Sequence, residues 1–182
     1  MMSRLREEFV LANGQVATIT LAEETDAAEV LEHLEQLGAE SDYLTFGPGE
    51  LGLTVEAQAA YIARLQDGAS GFIVKVQVAG QIVAFATIKR TPRPRIAHVG
   101  EFGLAVARAH WGQGIGKILC QVVVGQARHL GISRIELRVR ADNLRAQRLY
   151  QSVGFTVDGR AARGFQVGGV YFDELLMGLV LG

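Results

Sequence analysis

The chain has one cysteine, three prolines, one tryptophan and only three lysines in 182 residues. A single thiol, Cys120, excludes an internal disulfide and a zinc site built from several cysteines. So few prolines, alongside 49% hydrophobic residues, exclude a disordered chain. Uncharged stretches such as residues 118–127 fall far short of a membrane span. The opening MMSRLREEFV holds no apolar core of signal-peptide length, so the expected compartment is the cytoplasm. No block of Lys and Arg stands out, and no metal, nucleic-acid or membrane partner is expected.

What is present is an uneven placement of charge. The formal net charge is −1, yet residues 1–90 carry 6 basic and 13 acidic side chains while residues 91–182 carry 12 and 6. A basic half can hold an anionic partner even in a neutral protein. The length suits a single domain over residues 1–182 with a substantial core. No repeat, low-complexity tract or linker divides it.

Residues 9–12 and 15–20 flank Asn13-Gly14, a dipeptide suited to a type I′ hairpin. Thr25 or Asp26 is placed to cap a helix carrying Val30, Leu31, Leu34 and Leu37. Residues 41–52 read as a loop, and Thr54 caps a second helix to about Leu65. From Gly71 the period changes to strands at 72–78, 81–90 and 98–106, with a tight turn at Ala79-Gly80. A long amphipathic helix from Ile115 to Leu130 ends at Gly131. A strand at 135–139, a short helix from Ala146 to Val153, and strands at 154–160 and 170–181 complete the chain. The order ββαα-βββ-α-β-α-ββ predicts an α+β fold rather than a regularly alternating doubly wound one.

The segment Trp111-Gly112-Gln113-Gly114-Ile115-Gly116-Lys117 lies between a strand and a helix. Small residues there let backbone N–H groups face an anion, aided by the helix dipole. A Walker A loop would need glycine at 111 and Ser or Thr at 118, where the chain has Trp111 and Ile118. A dinucleotide fingerprint fails at Lys117 or Leu119, depending on which glycine begins it. Neither an ATPase nor a Rossmann dehydrogenase is supported. Taken alone, the glycines are also consistent with a tight strand-to-helix turn.

A second segment, Asn143-Leu-Arg-Ala146-Gln-Arg-Leu-Tyr150-Gln-Ser-Val-Gly154-Phe155, follows the next strand. Together the two segments resemble the GNAT superfamily of acetyl-CoA-dependent N-acetyltransferases. Residues 111–116 match its pattern [Arg/Gln]-x-x-Gly-x-[Gly/Ala], and residues 143–155 match Asn-x-x-Ala-x-x-x-Tyr-x-x-x-Gly-Phe. The resemblance is strong over residues 98–155 and weak from about Val16. One departure stands out: Trp111 occupies the Arg/Gln position, so that side chain supplies no guanidinium or amide to a pyrophosphate.

The resemblance implies a mixed, mostly antiparallel sheet flanked by helices, with the family's fourth and fifth strands splayed into a cleft. It implies acetyl-CoA as co-substrate, cradled by Trp111, Gly112, Gln113, Gly114, Ile115, Gly116 and Lys117, with Asn143 contacting the cofactor or capping its helix. Leu104 and Val106 would present main-chain groups to the pantetheine arm, and the Leu104 N–H to a developing oxyanion. Tyr150 matches the tyrosine that protonates the leaving thiolate; its other reading is a packed core tyrosine. Glu101 is the favoured base, with Glu136, His98 and His110 as further titrating groups and a surface carboxylate as the ordinary alternative. Certain relatives that acetylate protein N-termini carry a glutamate where this chain has Arg138. The expected acceptor is therefore a small-molecule primary amine, with a peptide N-terminus second. Glu40, Asp42, Tyr43 and Glu50 of the 40–50 region, and Tyr171 with Phe172, are candidate acceptor-pocket residues. A non-catalytic acyl-CoA-binding module stays open as a different class, and the resemblance admits a homodimer.

Overall fold

The computed structural model describes residues 5–67 and 69–182. Its elements are β1 (Arg6–Val10), β2 (Val16–Leu21), α1 (Ala27–Glu40), α2 (Val55–Leu65), β3 (Gly71–Val78), β4 (Gln81–Lys89), β5 (Val99–Val106), α3 (Ile115–His129), β6 (Arg134–Arg140), α4 (Leu144–Ser152), β7 (Thr156–Val167) and β8 (Val170–Val180). The strands form one sheet in the order β1-β2-β3-β4-β5-β6-β8-β7. Every neighbouring pair is antiparallel except β5 and β6. This is the expected α+β sandwich, with 3-10 turns added at Glu24–Asp26 and Arg108–His110 and with β7 running on to Val167.

Alternation along the strands divides the core in two. On one face Ile115, Leu119, Cys120, Val123 and Ala127 of α3 pack with Phe102, Ile135, Leu137, Tyr150 and Phe155. On the other, Val30 and Leu37 of α1 and Ile62 and Leu65 of α2 pack with Ile73, Ile82 and Phe85. β5 shows the division within a few residues. Phe102, Leu104 and Val106 join the α3 cluster, whereas Ala105 joins that of α1 and α2.

Two turns exchange the roles their sequences suggest. At Ala79-Gly80 both residues have positive φ, 50° and 81°, as a type I′ turn requires between strands carrying a right-handed twist. Asn13 does not; only Gly14 has positive φ, and Leu11 N–H donates to the Gln15 carbonyl at 2.8 Å around a three-residue loop. Asn13 instead uses its side-chain oxygen to accept the Gln15 N–H at 3.0 Å. A second correction concerns Asp26, whose side chain makes no capping bond to α1. One of its oxygens accepts the Glu23 N–H at 2.7 Å and the other meets Lys75 Nζ at 2.6 Å in a largely buried ion pair. Asp26 thereby ties the start of α1 to the middle of β3. Thr54 does cap α2, accepting the Ala57 N–H at 3.2 Å.

The feature that positions a site is the parting of β5 and β6. Their parallel ladder holds only Val99–Arg134, Gly100–Ile135 and Glu101–Glu136. Beyond it β5 stays paired to β4 as far as Val106, while β6 stays paired to β8 as far as Arg140. These strands are the fifth and sixth of this chain, and they are the pair expected to splay.

Candidate active site

A cleft of about 1160 Å³ opens where β5 and β6 separate. One wall is the 111–117 loop and the start of α3, another is α4, and the far side is the loop after α1 with β4 and β8. Glu101, Leu104, Val106, Trp111, Gly112, Gly114, Ile115, Gly116, Lys117, Asn143 and Tyr150 all border it, drawing together residues separated in sequence. Gln113 lies beside them with its side-chain nitrogen 3.4 Å from the Ala109 carbonyl and its buried oxygen without a partner among the described residues.

The loop's shape follows from its glycines. Gly112 and Gly114 have φ of +77° and +90°, a region costly for residues with a Cβ. Gly116 serves a different purpose: an added Cβ would lie 2.9 Å from Leu149 Cδ2, so the Leu149 side chain of α4 would have to shift to keep its packing on α3. The first turns of α3 and α4 contain no acidic residue, unlike α1 and α2 with Glu29 and Glu56. Two helix N-termini therefore bring uncompensated partial positive charge to the cleft.

The cleft edge of β5 is set by its ladder with β4. Ala107 N–H bonds the Val83 carbonyl at 2.9 Å, and antiparallel alternation then points the main-chain groups of Leu104 and Val106 away from β4. The ladder with β6 has ended by that point. The Val106 carbonyl accepts the Trp111 indole N–H at 2.7 Å. An open strand edge beside a left-handed glycine loop fits an extended amide chain ending in phosphates.

A family model for the acetyltransferase (GNAT) family matches residues 28–155. The chain belongs to that family. It is similar to the L-amino acid N-acetyltransferase AaaT of Escherichia coli (strain K12), 31% identical over 102 residues, 56% of this chain and 63% of that one. The match thus spans less than two thirds of that relative. A GNAT-family acetyltransferase from Streptococcus pneumoniae has a TM-score of 0.88 at 27% identity, covering 91% of this chain and 99% of the other. An acetyltransferase from Salmonella typhimurium, solved with acetyl-CoA, has a TM-score of 0.81 at 20% identity, covering 91% and 94%. Family membership is thus shown by the matched domain, and a structure of the same fold holds acetyl-CoA.

In this GNAT-family chain Tyr150 is buried on the α3 side of the sheet. It meets Phe102 edge-on at 6.1 Å and Phe155 at 5.8 Å between ring centroids. Burial, with a smaller contribution from Cys120, raises its pKa well above the ordinary phenol value, so its proton is retained across the neutral range. Asn143 caps α4, its oxygen accepting the Ala146 N–H at 3.1 Å. Burial also pushes the Cys120 thiol up to about 12, which leaves no thiolate for nucleophilic attack at neutral pH.

That shift has a consequence for stability. The unfolded thiol ionises near 9 and the folded one near 12, so between these values the unfolded state binds fewer protons. Stability is then complete below about pH 9 and falls as pH rises, by roughly 1 kcal/mol per unit for this group. Cys120→Ala should flatten the decline in urea midpoint between pH 8.5 and 10.5 while lowering the midpoint throughout. An unchanged slope would show that Cys120 is not its source.

The α1 side of the cleft differs from expectation in which charges it presents. Glu50 folds back onto the Gly47 N–H at 2.7 Å and does not border the cleft. Glu40 accepts the Arg108 N–H at 2.8 Å, and that bond is the main cause holding its carboxyl below the usual range. Glu136 turns toward Arg134, 3.9 Å away, outside the cleft. Tyr171 faces out beneath Arg163, whereas Phe172 stacks on Arg140. Sequence reasoning missed Glu174, a buried carboxylate bordering the cleft, 3.6 Å from the exposed Arg138 guanidinium. It also missed that Arg140 faces this side, held by aromatic rings. Neither had a motif to mark it.

Proposed function

We propose that this protein transfers an acetyl group from acetyl-CoA directly to the primary amine of a small molecule, favoured as one that also bears a carboxylate. The observation that carries the reading is a cleft passing between β5 and β6 with different chemistry at its two sides. On the α3 side lie the glycine loop, the open β5 edge and the buried Tyr150. On the α1 side lie Glu101 and Glu174 together with Lys89 and Arg138, both signs of charge within one compartment. An amine with a carboxylate fits such a mixture. The likeness to an L-amino acid N-acetyltransferase supports the same class.

Bound acetyl-CoA supplies an activated thioester whose thiol must leave. The Gln113, Gly114 and Gly116 backbone, Lys117 and the helix dipole of α3 would hold its phosphates. The Leu104 main chain would hold the pantetheine arm and donate an N–H to charge developing on the acetyl oxygen. Glu101, at the last rung before the strands part, takes a proton from the incoming ammonium, directly or through water. Tyr150 would give a proton to the departing sulfur and regain one from the second proton that the amine nitrogen loses as the amide forms, so no phenolate is left buried. The protonated Cys120 makes direct attack the preferred route over an acyl-enzyme.

The test is thiol release from acetyl-CoA against a panel of L-amino acids, simple amines and short peptides. Turnover is expected with a small amine, and best with an amino acid. A peptide-only response would move the acceptor to the second class. Acetyl-CoA binding with no release for any amine would favour the non-catalytic reading.

A further inference from the structure

Trp111 stands where the family pattern has arginine or glutamine, and its surroundings show what the exchange achieves. Its indole N–H is anchored on the Val106 carbonyl at 2.7 Å, which fixes the ring against β5. Over that ring sits the Arg145 guanidinium, 4.3 Å from the centroid, with the Arg108 guanidinium at 5.8 Å. Such distances are those of a cation held on an aromatic face. Arg145 belongs to the first turn of α4, where a cation is opposed by the helix dipole. It forms no ion pair with a carboxylate among the described residues, and its side chain is exposed at the border of the cleft. An exposed cation kept at the positive end of a helix, on a pre-fixed ring, beside a second helix N-terminus, is an arrangement completed by an anion.

We infer that Trp111 and Arg145 act together as the replacement for the missing arginine: the indole holds the Arg145 guanidinium where it binds the pyrophosphate of CoA. The inference rests on the reading of the cleft as a CoA site and adds to it the residue that supplies the charge. Arg145 becomes a donor-binding residue and Trp111 its positioning residue. Guanidinium suits the role because it can rest on an aromatic face, here 4.3 Å from the indole centroid, while its edge N–H groups donate to phosphate oxygens.

Trp111 is the only tryptophan in the chain, so its fluorescence reads binding at this position without turnover. CoA titrated into the wild type should shift the emission, and 3′-dephospho-CoA should do so with nearly the same affinity. Pantetheine, which lacks the pyrophosphate, should bind far more weakly. Arg145→Gln should weaken CoA about tenfold and leave pantetheine unchanged. Calorimetry on Trp111→Ala should give a similar loss for CoA. Trp111→Arg, placed in the Arg145→Gln background, should recover most of it, because a guanidinium returns to the loop. Equal losses for CoA and pantetheine in Arg145→Gln, or no loss for either, would overturn the role of Arg145. Loss only of the preference for CoA over 3′-dephospho-CoA would assign Arg145 to the 3′-phosphate and overturn the pyrophosphate assignment. Failure of the wild type to bind CoA at all would instead remove the donor site itself.

Discussion

Tyr150→Phe is expected to lower kcat by about 100-fold or more while changing CoA affinity less than twofold. The substitution removes one oxygen from a side chain otherwise held by apolar contacts. The ring would keep its edge-on meeting with Phe102 and its contact with Phe155, so fold and cleft should persist. What is lost is the proton that burial retains on the phenol. A thiolate leaving an apolar pocket without a donor is a charge created in a poor solvent, and its cost falls on the transition state alone. The expected signature is a fall in kcat and kcat/KM together, with binding intact. Donors with better leaving groups than CoA thiol should recover part of the rate. Because the folded phenol titrates above the unfolded value near 10, Tyr150 should impose no alkaline fall in rate below that pH. A kcat within a few-fold of wild type would return Tyr150 to the core it packs in.

Much of this donor side is legible in the sequence because its chemistry is local. A glycine with φ near +90°, a helix start and a capping asparagine lie within a few residues of each other, and each leaves a mark in spacing. The turns show where such marks mislead. Asn13-Gly14 has the favoured type I′ residues, yet the three-residue loop fixed by the β1–β2 register leaves Asn13 at negative φ. Ala79-Gly80 adopts that turn because two residues are all that separate Val78 from Gln81. The acceptor side is less legible because it is assembled across distance. Nothing in residues 41–53 announces that Asp42 will meet Arg140, 98 positions away. Nor does the alternation of β8 reveal that Glu174, rather than Glu50, reaches the cleft. The charge division of the two halves survives only in part. Arg145 and Lys117 of the basic half border the cleft beside the glycine loop, but Arg138 and Arg140 lie on its α1 side with Glu174 and Tyr43.

Arg140→Ala is expected to raise the acceptor KM at least tenfold, leave the donor KM within about twofold, and cost about 2 kcal/mol of stability. Arg140 ends β6 with its guanidinium buried and centred 3.6 Å from the Phe172 ring. Tyr43 lies at 4.7 Å and Phe165 at 5.4 Å, so rings from the loop after α1, from β7 and from β8 all meet one cation. Its N–H groups are also assigned: Nη1 donates to the Asp42 carbonyl at 2.9 Å, and Nε and Nη2 donate to the Asp142 carboxylate at 3.0 and 2.7 Å. The fork to Asp142 is the main cause that raises its pKa further, so the clamp stays charged throughout the working range. With Nε, Nη1 and Nη2 each already donating and aromatic rings around the guanidinium, Arg140 is better suited to holding this wall of the cleft than to greeting a substrate. Its removal frees the 41–53 loop from the sheet while leaving the 111–117 loop and Tyr150 untouched, which is why the two KM values should separate. Part of the cost is recovered because Asp142 is half-exposed and can be hydrated once its partner is gone. Arg140→Lys should fall between, since an ammonium keeps the charge above Phe172 but cannot span both carboxylate oxygens and the Asp42 carbonyl. Limited proteolysis would report the loop independently, with faster cleavage within residues 41–53 in the alanine variant. Equal rises in both KM values would mean that Arg140 supports the whole cleft rather than its acceptor wall.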